Sequence, residues 1–160
     1  MKLSRPGILA VLGFGCLALA LSACDQGVGW DATERQNAVY LFMSLESAGK
    51  AAQEANELGR DWEPGSEEVQ PLLDHLEDAI TRALLVEERV LIKAHPELPR
   101  RFGSEYLPAL RALRSYYEVG DYRTPWHPAD RLGDFTEWFF ETQHEFRWWS
   151  GYEEDVGLTD

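Results

Sequence analysis

Ala38, Leu41, Leu45, Ala48, Ala52 and Ala55 recur at alternating spacings of three and four. No strand satisfies that rhythm, and a helix puts all six on one face. Such a helix opens near Asp31 or Thr33, where Thr33-x-x-Gln36 reads as a capping box. Its face turns to alanine toward the end, which leaves room for a neighbouring helix to approach closely. Gly59 is a plausible stop and Pro64-Gly65 a turn.

Three further segments share the period. Ser66 caps a second helix, with Glu67 and Glu68 complementing its dipole and Pro71 where a missing donor costs least. Leu72, Leu73, Leu76, Ile80, Ala83, Leu84, Val90 and Leu91 give it a broad apolar stripe ended by Pro96. "HPELPRRFG" reads as a proline-broken connection. Ser104 caps a third helix in which Leu107, Leu110, Leu113 and Tyr117 share a side, and Gly120 closes it. After the loop "DYRTPWHP", Pro128 opens a fourth with Leu132, Phe135, Phe139, Phe146 and Trp149 inward. No alternating strand interrupts them. The expectation is all-α: an up-and-down bundle of about four helices over residues 31–150, followed by an acidic tail at 151–160.

Ahead of the bundle, Lys2 and Arg5 precede an uncharged run from Ile8 to Ala23 that ends in small residues before Cys24. A charged start, a short apolar core and small residues before a cut mark a secretory signal peptide. The run is shorter than the roughly 20 residues that a spanning helix needs. Leu21-Ser22-Ala23-Cys24 resembles the lipobox of bacterial lipoproteins; the resemblance covers only the leader. It implies a diacylglyceryl group on the Cys24 thiol, cleavage that removes residues 1–23, and acylation of the new amine. Asp25 followed by Gln26 is similar to the signal that keeps enteric lipoproteins in the inner membrane. Residues 24–30 then form a short tether of roughly 15 to 20 Å from Asp25 to Gly29, with Trp30 within reach of the interface.

Removal of the leader leaves 137 residues, enough for one domain with its own core. Cys16 leaves with the leader and Cys24 carries lipid, so no disulfide supports the fold even in an oxidising compartment. With Lys2 and Arg5 gone, 13 Lys and Arg face 28 Asp and Glu, a formal charge of −15. Such a domain is repelled by nucleic acid and by anionic headgroups, which excludes a nucleic-acid partner and predicts a body facing solvent.

Catalytic signals are sparse. Glu141 and His144, three apart in "ETQH", have the spacing of a metal-binding helix, but no second Glu-x-x-His pair exists and both fall away from the apolar face. Glu87, in or beside the second helix's stripe, is either a buried acid or an edge residue paired with Arg35, Arg111 or Arg114. Ser66 and Ser104 are explained as caps, and neither a G-x-S-x-G turn nor a glycine-rich phosphate cradle occurs. The unusual feature is aromatic density. Trp138, Phe139 and Phe140 in succession cannot share one helix side, and neither can Trp148 and Trp149.

The sequence therefore leads to a non-enzymatic, cofactor-free lipoprotein of the bacterial envelope, facing the periplasm, in the inner membrane rather than the outer. An aromatic surface around Trp126, Trp138, Trp148 and Trp149 would engage another envelope protein. The alternative is a carrier or sensor bundle enclosing an apolar ligand or a weakly bound metal at Glu141 and His144.

Overall fold

A computed structural model describes residues 29–58 and 62–147. It is an all-α bundle, with no strand among the described residues. The helices are α1 (Ala32–Glu57), α2 (Gln70–Ala83), α3 (Glu88–Ala94), α4 (Leu98–Arg101), α5 (Leu107–Val119) and α6 (Pro128–Thr142). A 3-10 turn, Glu67–Val69, leads into α2, and another, Gln143–Glu145, follows α6. No described helix is long and apolar enough to cross a membrane.

The start of α1 is a capping box built on Asp31 and Glu34 rather than on Thr33 and Gln36. The Glu34 amide donates to Asp31 Oδ1 at 2.8 Å, and the Asp31 amide donates to Glu34 Oε2 at 3.0 Å. Glu34 also pairs with Lys93 and Arg89 of α3, a partnership that Gln36 could not supply.

Along α1, Ala38, Leu41, Ala48 and Ala51 are buried, and α2 lies closely along this small-residued face. The face is not wholly apolar. Ser44 is buried, its hydroxyl donating to the Ala79 carbonyl at 2.7 Å and sitting 2.8 Å from the Tyr106 hydroxyl. Ser47 donates to Asp78 Oδ2 at 2.5 Å. These bonds fix the register of α1 against α2 and against Tyr106, which directly precedes α5, as packing alone would not.

The long second helix expected to reach Pro96 is broken. Two i→i−3 bonds, Leu85 to Arg82 and Val86 to Ala83, tighten the end of α2. Glu87 then goes extended, its amide donating to Asn37 Oδ1 at 3.1 Å while Asn37 Nδ2 donates back to Glu87 Oε1 at 3.3 Å. A buried amide fifty residues upstream thus captures the backbone, and α3 restarts so that Val90 packs on Ala38 and Val39.

The opposite correction applies to "HPELPRRFG". Pro99 sits in the first turn of α4, and the chain continues through a π-helical segment, Phe102–Tyr106, into α5 without interruption. Ser104 lies inside this rod and is not a cap; its hydroxyl donates to the Arg100 carbonyl at 2.7 Å. The wide turn has a local cause. Pro108 brings no amide to the Ser104 carbonyl and its ring would strike it, so the backbone widens and the Leu107 amide reaches Phe102 instead.

The α1, α2, α4–α5 and α6 rods run up and down, which gives the bundle two ends. At the near end Lys93 Nζ donates to the Gly29 carbonyl at 2.6 Å, and the Arg147 amide donates to the Ala94 carbonyl at 3.0 Å. At the far end the Gly65 amide donates to the Tyr117 carbonyl at 2.9 Å. Gly65 and Gly120 take φ of +70° and +78°, and an added Cβ would lie 3.0 Å from the Glu118 carbonyl oxygen and Pro64 Cγ respectively. With 26 residues, α1 separates the ends by about 39 Å.

Candidate functional site

Cys24, Asp25, Gln26, Trp148 and Trp149 lie outside the described residues, as does Gly59. Trp126 lies in the loop two residues before α6 and Trp138 ten residues into that helix, about 15 Å of helical rise beyond Pro128. They therefore form two environments.

Trp138 belongs to the near end and is half-buried. The Arg101 guanidinium covers its ring at 4.5 Å, and Phe135, Phe146 and His95 stand around it with centroids 5.8 to 5.9 Å away. Arg101 is itself held by Glu105 at 3.1 Å, and Arg100 reaches the other oxygen of that carboxylate at 3.5 Å. Glu105 is only 8% exposed, so the two guanidiniums compensate a desolvated charge. The segment after α6 folds back, bringing Phe146 onto Phe139 at 5.0 Å. This covers Phe139 with the protein's own chain and packs half-buried Trp138 against the core, while Phe140 stays 37% exposed.

The far end is built differently. Trp62 meets Tyr116 edge-on at 5.4 Å and Tyr117 at 4.9 Å. Tyr116 continues to Tyr122 at 5.7 Å, and both approach His127, at 6.4 and 5.7 Å. Trp126 lies alongside, with Arg131 over its ring at 5.7 Å. The left-handed turn at Gly120 folds Tyr122 back toward Tyr116, while the Gly65–Tyr117 bond holds the loop that carries Trp62. Trp62, Tyr116, Tyr117, Tyr122 and Trp126 are half-buried and His127 is exposed. Burial pushes the Tyr117 phenol above its ordinary range, with Tyr116 adding to the effect. Of these residues, only Trp126 was identified from sequence. The tyrosines of "SYYEVGDY" are visible as a local run, but their junction with Trp62 spans more than fifty residues.

A shallow groove of about 170 Å³ adjoins this end, lined by Gln70, Leu73, Asp74, Glu77, Arg114 and Glu118. Arg114 bridges Glu77 at 3.1 Å and Glu118 at 3.9 Å, so the lining is polar and ion-paired. It offers little to an apolar ligand.

Glu141 ends up exposed near the C-terminus of α6, and His144 sits beyond the helix in the 3-10 turn, where its ring faces Glu145 at 3.7 Å. No group of three or more His, Cys, Asp or Glu among the described residues could hold a metal ion. Glu87 is an exposed partner of Arg89 at 2.5 Å rather than of Arg35, Arg111 or Arg114. Ser66 occupies its expected position, yet its hydroxyl makes no cap bond. Inside the bundle, burial raises the Tyr106 phenol far above its usual range, the Ser44 hydrogen bond opposing only in part. This hydroxyl is held inside the core by its bond with Ser44.

Comparison with known proteins finds no match to this chain: no protein-family model, no curated protein and no solved structure.

Proposed function

We propose that this protein is a lipid-anchored component of the bacterial envelope, held on Cys24 with its body in the periplasm and in the inner membrane rather than the outer. Its activity is binding, not catalysis. The far-end aromatic cluster, with Trp126 at its edge, engages another envelope protein.

One observation carries this reading. Trp62, Tyr116, Tyr122 and His127 gather from three separate segments at the end of the bundle opposite Gly29 and remain partly open to solvent, with half-buried Trp126 next to His127 in the chain. Tryptophan and tyrosine dominate binding hot spots because they supply large contact area with few rotors and a polar handle. The geometry suits the anchor. A 39 Å rod on a short tether would hold these rings tens of ångströms from the bilayer, among the periplasmic domains of neighbours.

A photo-crosslinking residue placed at Tyr122 in cells tests the reading, with the exposed Gln53 on α1 as the control position. A discrete adduct to one envelope protein is expected from position 122, lost in Tyr116→Ala and Trp126→Ala variants that keep full helical circular dichroism. Equal yields from 122 and 53, or no adduct at 122, would sink it.

A further inference from the structure

Five large apolar side chains stand out as exposed among the described residues, and three of them fall within nine positions: Leu84 at 57%, Leu85 at 49% and Ile92 at 56%. Leu84 and Leu85 form the corner between α2 and α3, and Ile92 lies on the outer side of α3. A solvent-facing turn ordinarily carries Gly, Asn, Asp or Ser. Here the corner is "LLVE".

The corner stands where the chain arrives from its N-terminal segment. Lys93, next to Ile92, donates to the Gly29 carbonyl at 2.6 Å and lies over the Trp30 ring at 4.9 Å. Cys24 is five residues before Gly29, so a lipid on that residue stays within about 18 Å of the Gly29 carbonyl that Lys93 holds.

Charge separates this corner from the rest of the molecule. In residues 29–35 and 82–94, four acids (Asp31, Glu34, Glu87 and Glu88) are matched by four bases (Arg35, Arg82, Arg89 and Lys93). The remaining described residues carry eighteen acids against eight bases. Lys93 and Arg89 also draw Glu34 and Glu87 into pairs, leaving little field to repel an anionic leaflet.

We propose that Leu84, Leu85 and Ile92 form a membrane-docking corner that sits in the headgroup region of the bilayer and sets the bundle upright on its lipid anchor. The inference rests on lipidation of Cys24. Exposed aliphatic side chains beside a charge-balanced surface are the composition that an interfacial contact uses, the apolar atoms entering the acyl boundary. The acidic remainder of the surface is repelled. That repulsion reinforces a single orientation, with one corner on lipid and the far end in solvent.

The test uses the mature, lipidated chain in vesicles of phosphatidylethanolamine and phosphatidylglycerol. Leu85→Cys, Ile92→Cys and, at the far end, Val119→Cys each carry an environment-sensitive fluorophore; Val119, 65% exposed, reports solvent. Lipids bearing a quencher in the upper acyl chain should quench positions 85 and 92 several-fold more than position 119. If the chain stays with the vesicles but 85 and 92 are quenched no more than 119, docking is overturned and the anchor stands. Shielding of 85 and 92 from aqueous iodide without lipid quenching would mean that protein covers the corner, which also overturns the proposal. Fluorophore on Cys24 itself would show a free thiol there, and protein that does not partition with the vesicles would show no attachment; either removes the anchor along with the docking that rests on it.

Discussion

Both ends of the bundle are rich in aromatic rings, and they use them in opposite ways. At the near end Trp138, Phe146 and His95 are closed by Arg101 and by the chain returning after α6. At the far end Trp62, Tyr116, Tyr122 and His127 touch one another edge-on and leave part of each ring in water. The difference lies in what the backbone brings over them. A folded-back segment buries Phe146 against Phe139 in the first cluster, whereas no ring of the second is fully buried and it sits on two glycine turns whose left-handed residues keep the loops short. Aromatic density in a sequence is thus a poor guide to an interface; the cover over the rings decides.

The sharpest way to break this contrast is to remove one ring from each end. Trp138→Ala should cost about 3 kcal/mol of unfolding free energy, because it takes away a packed wall of the core and leaves Arg101 without its ring. Urea denaturation measures it, and a loss below about 1 kcal/mol would contradict the structural role of Trp138. Gly120→Ala should follow at about 1 to 2 kcal/mol, from the φ of +78° alone, with added crowding from Pro64. Its effect should centre on the far-end loops in amide hydrogen exchange. Tyr122→Ala should cost less than about 1 kcal/mol, a half-exposed ring with two edge contacts, and yet remove the partner adduct. Destabilisation equal to that of Trp138→Ala would make the two ends alike.

Acid sharpens the comparison further. The Asp31 carboxyl is held below its ordinary value chiefly by the Glu34 amide, and Glu34 chiefly by the hydrogen bond from Lys93. Groups whose folded pKa is depressed stabilise the fold fully above the unfolded carboxylate range and lose that contribution as pH falls through the folded values. The near end should therefore open first below about pH 4, with faster exchange at the start of α1 while the Gly65 amide stays protected. Simultaneous exposure of both would argue against a separate electrostatic clasp at α1.

Local chemistry was legible where it acted alone. The period of three and four gave the rods, Gly120 and Pro128 ended and began helices as expected, and the first-turn position of Pro71 held. The failures all came from partners distant in sequence or from competing local signals. Asn37 breaks the second helix at Glu87 across fifty residues. A proline read as a breaker, Pro99, opens α4 instead, and Pro108 widens the rod without ending it. The far-end cluster joins Trp62, in the loop before α2, to Tyr116 and Tyr117 of α5, which no single window contains, whereas the denser aromatic run in α6 packs Trp138 against the core.

Anchor at one end and binding face at the other is a claim that begins at Cys24, and the intact mass of the protein extracted from membranes tests it most directly. The expected species is a chain that starts at residue 24, heavier than its sequence by a diacylglyceryl group with or without an amide-linked acyl chain, with no such species from Cys24→Ser. A chain cut elsewhere, or one beginning at Cys24 with an unmodified thiol, would contradict it.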